Sequence, residues 1–248
     1  MAKKILIAGE SWMSYTTHVK GFDTFYTSVY EEGIGFLRDA LQAAGYQVDY
    51  LPNHLAGIQF PYTMEEIGQY DCVILSDIGS NTLLLPPQTF SKSVETPNRC
   101  ELIKQYVLGG GAFLMIGGYM SFTGIDAKTR YGQTAVADIL PVKCLEIDDR
   151  AEHPEGAAPQ VAKDHPVVSG LPGQWPNLLG YNKTQAIAGC EVVATISGDP
   201  LIAVGAFGKG RSAVFTSDCA PHWAPPPFVN WEHYNLLWKN MMDYLTKR

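Results

Sequence analysis

Short apolar runs that end in polar residues or glycine recur along the first half of the chain. They extend over Lys3–Gly9, Gln47–Leu51, Asp71–Asp77 and Ala112–Ile116. A short apolar run bounded by turn residues is typical of a strand that is buried on both faces of a parallel sheet. The pattern therefore predicts four such strands.

Helical periodicity separates these runs. Apolar residues recur at helical spacing over Tyr30–Ala44, and Gly45 follows as a stop signal. A weaker helical stretch covers Met64–Gln69, Arg99–Leu108 ends at three glycines, and a last helix is expected over Trp231–Tyr244. This β-α-β rhythm predicts a doubly wound sheet, and right-handed crossovers would bring the loops after its strands to one edge.

The second half of the chain has a different pattern. Three β-type runs, Cys190–Ile196, Leu201–Phe207 and Ser212–Thr216, are separated by short turns rich in glycine. Such spacing is typical of antiparallel hairpins. A further strand is expected within Leu140–Ile147. We therefore predict an α/β fold with a mostly parallel, flavodoxin-like sheet and an antiparallel extension.

Two polar segments interrupt this pattern. Residues 79–97 are rich in Ser, Thr, Asn and Pro and are too long for an ordinary connection, so we expect a loop that covers the site as a lid. Residues 148–160 carry Pro and Gly and are expected to form an exposed excursion, with His153 facing solvent.

The composition limits the class of protein. The chain has 248 residues, of which 46% are hydrophobic, so a single domain over residues 1–248 is expected. A formal net charge of -7 argues against nucleic acid and anionic membranes as partners. The first residues lead directly into a strand, and no apolar run approaches the ~20 residues of a membrane span, so we expect a cytoplasmic protein.

The cysteine and histidine spacings do not indicate a metal or another cofactor. Five cysteines lie far apart with no C-x-x-C pair, and no histidines stand at H-x-H or H-x-x-x-H spacing. No glycine-rich phosphate loop is complete. We therefore expect mostly buried thiols, no cofactor and a small-molecule ligand.

Polar and aromatic residues stand at the ends of four of the predicted strands. The loop after Thr216 also contains three consecutive prolines, which would hold its side chains in place. Since the carboxyl ends of parallel strands share one edge, we expect these residues to converge on one crevice. The candidate site residues are Glu10, Trp12, His18, Asp77, Tyr119, Asp218, His222 and Trp223.

Carboxylates, imidazoles and aromatic rings in one crevice suit the recognition of sugars by hydrogen bonding and stacking. In a reaction, Glu10 or His222 would be the general base, and Tyr119 would donate a hydrogen bond to developing negative charge. The structural alternative is that Asp218 caps a turn while His222 packs against Trp223.

Three motifs resemble those of a known superfamily. They are Gly109–Gly118, Asp164–Pro172 and Gly208–Thr216. Together they resemble class I glutamine amidotransferases, in particular the trehalose-utilisation-like and β-galactosidase-trimerisation-like branches. The resemblance spans most of the chain and implies one amidotransferase-like domain.

The resemblance also exposes a departure at the position of the nucleophile. An amidotransferase has a cysteine on the strained turn after the strand, whereas Tyr119 stands there in this chain. A tyrosine with a pKa of about 10 is a poor nucleophile at neutral pH. The family's His-x-Glu motif near the chain end is not matched either, because His233 follows Glu232. We therefore expect Tyr119 on a strained turn and no usual nucleophile.

Three functional hypotheses remain at this point. The leading one is an amidotransferase-like protein that binds or transforms a small polar metabolite such as a sugar derivative. The second is an active amidotransferase that uses Cys219 with His222 as base. The third is a non-catalytic oligomerisation module whose surface tryptophans form a subunit interface; those tryptophans are Trp12, Trp175, Trp223, Trp231 and Trp238.

Overall fold

A computed structural model describes residues 2–247, and its centre is an eight-stranded sheet. With strands numbered along the chain, the spatial order is β4 (Gln47–Leu51), β1 (Lys4–Gly9), β5 (Cys72–Ser76), β6 (Ala112–Ile116), β14 (Gly210–Phe215), β13 (Asp199–Phe207), β12 (Glu191–Ile196) and β9 (Pro159–Val161). The first five are parallel and the last three antiparallel. The fold is the predicted α/β sheet with an antiparallel extension.

Helices lie on both faces of this sheet. They are α1 (Gly35–Ala43), α2 (Asn53–Gln59), α3 (Met64–Ile67), α4 (Ser80–Leu84), α5 (Pro87–Lys92), α6 (Arg99–Leu108), α7 (Pro226–Val229) and α8 (Tyr234–Leu245), and short 3₁₀ turns occupy Ile125–Ala127, Tyr131–Gln133, Ala135–Ile139 and Pro166–Val168. Within residues 2–247, no helix combines the length and the apolar character needed to cross a membrane.

Alternate residues of the parallel strands enter two different cores. In β1, Ile5 and Ile7 join the core beneath α1 and α8, whereas Leu6 and Ala8 join the core beneath α2 and α6. Both faces of a strand are therefore apolar, which is why these strands read as continuous apolar runs in the sequence.

Three two-stranded pairs accompany the central sheet. They are β2 (Ser11–Lys20) with β3 (Asp23–Glu32), β7 (Val142–Cys144) with β11 (Thr184–Ala186), and β8 (Arg150–Ala157) with β10 (Leu178–Asn182). The first pair is a long hairpin that begins directly after β1.

These pairs correct several sequence-based expectations. The predicted helix over Tyr30–Ala44 begins only at Gly35, because Tyr30 belongs to the hairpin. The expected strand in Leu140–Ile147 is limited to β7. The supposed excursion over residues 148–160 contains β8 and part of β9, and His153 stacks on Tyr181 with ring centroids 5.6 Å apart.

Arg99 ties the predicted lid to the body of the protein. The lid segment, residues 79–97, forms α4 and α5 rather than a loop. The buried Arg99 guanidinium donates hydrogen bonds to the backbone carbonyls of Leu83 at 2.7 Å, Ala56 at 3.1 Å, Gly57 at 3.1 Å and Thr82 at 2.8 Å. These bonds join α2, α4 and α6 and hold the segment in place.

Candidate functional site

Two acidic residues leave the sheet with left-handed backbone conformations. Glu10 follows β1 with a φ of 54°, and Asp77 follows β5 with a φ of 45°. The Glu10 N–H donates to the Ser76 carbonyl at 2.9 Å, which joins the two strand ends. A non-glycine residue in this region costs of order 1–3 kcal/mol, and such strain clusters at functional sites.

The Glu10 carboxylate lies in a buried cluster with Asp218 and Cys219. One potential ligand atom of each lies within 4.8 Å of the other two. Glu10 is 2% exposed and Asp218 is 4% exposed. The Ser76 hydroxyl donates to Glu10 Oε2, and the Cys219 thiol donates to the same oxygen at 3.8 Å.

Burial and mutual repulsion determine the protonation of this cluster. Burial raises the pKa of Glu10 well above its usual value, and the negative charges of Asp218 and Asp77 raise it further. Burial likewise raises the pKa of Asp218, to which Asp77 adds its repulsion. The cluster therefore favours protonated carboxyl groups, which can donate as well as accept hydrogen bonds.

Asp77 lies against the turn that follows β6. Its Oδ1 accepts the Met120 N–H at 2.6 Å, and its own N–H donates to the Ser121 hydroxyl at 3.1 Å. Burial raises the pKa of Asp77, while the Met120 hydrogen bond and the nearby His222 lower it. A Cβ on Gly118, whose φ is 146°, would stand 2.6 Å from Asp77 Oδ1, so this position requires glycine.

Three rings form an aromatic wall beside the carboxyl groups. The Tyr119 ring meets His222 edge to face at 4.4 Å, and His222 stacks on Trp223 at 5.5 Å. His222 is half-exposed and its Nδ1 lies 3.8 Å from Asp218 Oδ2, whereas Trp223 is buried. His222 and Tyr119 therefore form the outer side of the wall, between solvent and the buried Asp218.

Glu152 and Arg150 hold the wall in place, and the sequence analysis missed both. Glu152 accepts hydrogen bonds at 2.9 Å from the Tyr119 hydroxyl and from Trp223 Nε1. The Arg150 guanidinium lies 4.7 Å from the centre of the Tyr119 ring. Both residues belong to β8, in the segment expected to be an exposed excursion. Their spacing of two, which puts them on one face of a strand, was the available signal.

The structure brings together most of the candidate residues but leaves two outside. Trp12 and His18 lie on β2, which carries them away from the carboxyl cluster. The Trp12 Nε1 donates to Glu31 at 3.0 Å, and His18 stacks on Phe25 at 4.4 Å. The expected convergence required a compact loop after β1. The chain instead continues there as the extended strand β2, which leads away from the site.

Tyr119 lies at the carboxyl edge of β6, as expected, but not in the expected strained conformation. The left-handed backbone belongs to Glu10 and Asp77 instead. The expectation of surface tryptophans is also wrong for three of the five. Trp175 and Trp238 are buried in the core that includes α8, and Trp223 is buried in the aromatic wall.

Cys219 is enclosed and its backbone is fixed. The side chain is fully buried, and the Tyr234 hydroxyl donates to the Cys219 carbonyl at 2.7 Å. Burial raises the pKa of the thiol well above its usual value, and the charges of Glu10 and Asp218 raise it further. A nucleophilic cysteine requires an accessible thiolate in an electropositive setting, and this environment has the opposite properties.

Comparison with protein families finds a match over residues 4–247 to the family described as "Putative glutamine amidotransferase". Two similar solved structures are the cytoplasmic proteins STM3548 and STM1381 of Salmonella typhimurium. The first is 44% identical with a TM-score of 0.95, and the match covers 98% of this chain and 99% of that chain. The second is 46% identical with a TM-score of 0.95, covering 98% and 100%.

A more distant similarity concerns the fold alone. A ThuA-like protein from Bacteroides uniformis is 14% identical with a TM-score of 0.56, and the match covers 96% of this chain and 89% of that chain. No curated protein sequence matches the chain.

Proposed function

This chain belongs to the family described as "Putative glutamine amidotransferase", and we propose that Tyr119 takes the place of the nucleophilic cysteine, so that the protein binds a small polar metabolite rather than hydrolysing glutamine. The proposed site is the crevice bounded by Glu10, Asp77, Asp218 and the aromatic wall. We place this function in the cytoplasm, since both similar Salmonella proteins are described as cytoplasmic. The observation that carries the proposal is the convergence of three carboxyl groups beside three rings.

The charges of the site favour a ligand rich in hydroxyl groups and without negative charge. An anionic ligand would meet repulsion from any of the three carboxyl groups that ionises, and the nearby Arg150 is engaged by Asp148 through a bond of 2.8 Å. Carboxyl groups with raised pKa values offer both donors and acceptors to hydroxyl groups. Aromatic rings can stack on the apolar face of a sugar. A neutral sugar derivative fits these features best.

The same environment assigns roles in a proton-transfer reaction on such a ligand. The raised pKa of Glu10 makes its protonated form a proton donor, whereas half-exposed His222 can accept a proton and pass it to solvent. Tyr119 would donate a hydrogen bond to developing negative charge when its hydroxyl leaves Glu152. Of the two candidate general bases, Glu10 and His222, we therefore propose His222, because Glu10 acts as the proton donor.

A ligand screen followed by matched histidine variants tests the proposal. Thermal-shift measurements with sugars, sugar acids, amino acids and divalent metals identify a ligand by its stabilisation of the folded protein. We expect a neutral sugar derivative to be found. His222→Ala should then weaken its binding about tenfold, or ~1.4 kcal/mol. The control is His54→Ala, at an exposed position on α2, which should leave binding unchanged.

Two results would contradict the binding site. Equal affinities of the His222→Ala and His54→Ala variants would place the ligand elsewhere. A preference for sugar acids over neutral sugars would contradict the electrostatic reasoning.

An active amidotransferase using Cys219 is disfavoured by the burial of the thiol. A thiol-reactive glutamine analogue should leave Cys219 unmodified in the native protein, as read by mass spectrometry. Modification at Cys219 that glutamine prevents would restore the amidotransferase hypothesis.

A divalent cation is the second candidate ligand, because Glu10, Asp218 and Cys219 offer ligand atoms within 4.8 Å of one another. Zinc binds thiolate sulfur and also accepts carboxylate oxygens as ligands. Calorimetric titration with Zn²⁺ distinguishes the candidates: stoichiometric binding that Cys219→Ala abolishes would favour the cation over the metabolite.

A further inference from the structure

The hairpin of β2 and β3 extends into solvent as a separate arm. Ten residue pairs, from Ser11 with Glu32 to Lys20 with Asp23, give it a length of roughly 33 Å. All of β3 is exposed, and in β2 only Ser11 is buried. A two-stranded hairpin is marginally stable by itself in water, so packing against another surface would stabilise this arm.

The two faces of the arm differ sharply in charge. On one face, Glu31, His18, Lys20 and Asp23 accompany the apolar residues. Beyond the first pair of residues, the other face has no charged side chain. This uncharged face consists of Met13, Tyr15, Thr17, Val19, Thr24, Tyr26, Ser28 and Tyr30.

The uncharged face presents several exposed aromatic rings, which can supply a substantial part of an interface. Tyr15 is 78% exposed, Tyr26 is 74% exposed, Tyr30 is 39% exposed, and Phe22 at the tip is fully exposed. At 150–250 Å² for each fully exposed ring, the three tyrosines of this face present roughly 290–480 Å², and Phe22 at the tip adds to the exposed apolar surface of the arm. The largest apolar patch of a typical monomer is ~300–600 Å², whereas a specific interface takes ~800 Å² from each partner.

We propose that the uncharged face of the arm packs against the same face of a second copy of this chain. In a two-fold symmetric interface each residue near the axis meets its own counterpart, so a charge there would face a like charge. A face without charges avoids this repulsion. Packing of two such faces would also bury one of the two faces of the arm that the chain itself leaves exposed. This inference is independent of the ligand proposed for the crevice.

Adjacent substitutions on opposite faces test the proposal. Tyr26→Lys puts a charge on the uncharged face, and Thr27→Lys puts the same charge on the other face of the same strand. Light scattering and sedimentation at ~1–100 μM should find a dimer for the wild type and for Thr27→Lys. The dissociation constant of the Tyr26→Lys dimer should be at least about tenfold higher than that of the wild-type dimer. Circular dichroism should show that the helices of both variants are retained.

Tryptic cleavage after Lys20 provides a second readout. The rate of this cleavage should fall as the wild-type concentration rises through the dimerisation range, and it should not fall for Tyr26→Lys. A wild type that stays monomeric over the whole range would overturn the proposal. Equal association of the two variants would overturn it as well, because edge-to-edge pairing would not distinguish the faces. A monomer that co-floats with lipid vesicles would show that the arm meets a membrane instead.

Discussion

Replacement of Glu10 by glutamine should stabilise the folded protein at neutral and alkaline pH. The variant keeps the size of the side chain and an oxygen that accepts the Ser76 hydroxyl bond, but it cannot acquire a negative charge. Potential ligand atoms of Glu10 and Asp218 lie within 4.8 Å. At that distance and an effective dielectric constant of about 20, two full charges repel by about 3.5 kcal/mol. The wild type avoids part of this repulsion by retaining protons, so we expect Glu10→Gln to gain ~1–3 kcal/mol at pH 8.

The pH dependence gives the sign of the effect. The pKa of Glu10 is raised in the folded state, whereas the unfolded chain has an ordinary value of about 4.3. In the wild type, the contribution of Glu10 to the free energy of unfolding is therefore complete below about pH 4. This contribution is lost as the pH rises through the raised pKa. Glutamine does not titrate, so the advantage of Glu10→Gln should be near zero at pH 4 and grow with pH.

Urea unfolding at pH 4.5 and pH 8 measures this difference directly. The matched control is Glu95→Gln, which changes an exposed glutamate and should alter the free energy of unfolding by less than about 0.5 kcal/mol at either pH. A variant less stable than the wild type at pH 8, or an advantage that is equal at both pH values, would refute the reasoning from charge repulsion.

Two further variants test the packing around the site and the anchoring of α4. Gly118→Ala should lower the free energy of unfolding, measured in urea, by at least about 2 kcal/mol, since its Cβ would stand 2.6 Å from Asp77 Oδ1. Gly173→Ala is the control, because a Cβ at that position has no neighbouring atom within 4 Å. Arg99→Met should cost more than about 3 kcal/mol, because it removes donors from four backbone carbonyls. An equal loss in Arg38→Met, at a partly exposed position, would contradict the role of those bonds.

The sequence predicted elements well where a local pattern determines them. Arg99–Leu108 and Ala112–Ile116 have the predicted bounds, because an apolar strand and an asparagine-capped helix are both set by neighbouring residues. The hairpin was missed, because apolar side chains point to both of its faces and leave no clear alternation. Gly21 between two stretches rich in Thr, Tyr and Val was the available signal.

The residues of the candidate site also differ in whether a local pattern could predict them. Glu10, Asp77 and Asp218 were found because each lies within three residues of the end of a strand whose carboxyl end is at the common edge. Glu152 could not be placed in this way. Its position depends on the pairing of β8 with β10 and on the indole of Trp223, 71 residues further along the chain. Contacts over such distances leave no trace in a local pattern.

The order of the strands has a consequence for synthesis on the ribosome. Glu10 is among the first residues to be made, whereas its partners Asp218 and Cys219 come more than 200 residues later. At ~5–20 residues per second, the carboxylate of Glu10 waits at least about ten seconds for them. Even then the loop of Cys219 lacks its hydroxyl donor until Tyr234 has emerged. A nascent chain therefore lacks the complete cluster of Glu10, Asp218 and Cys219 until shortly before its last helix is made, and a chain that terminates before Asp218 never forms it.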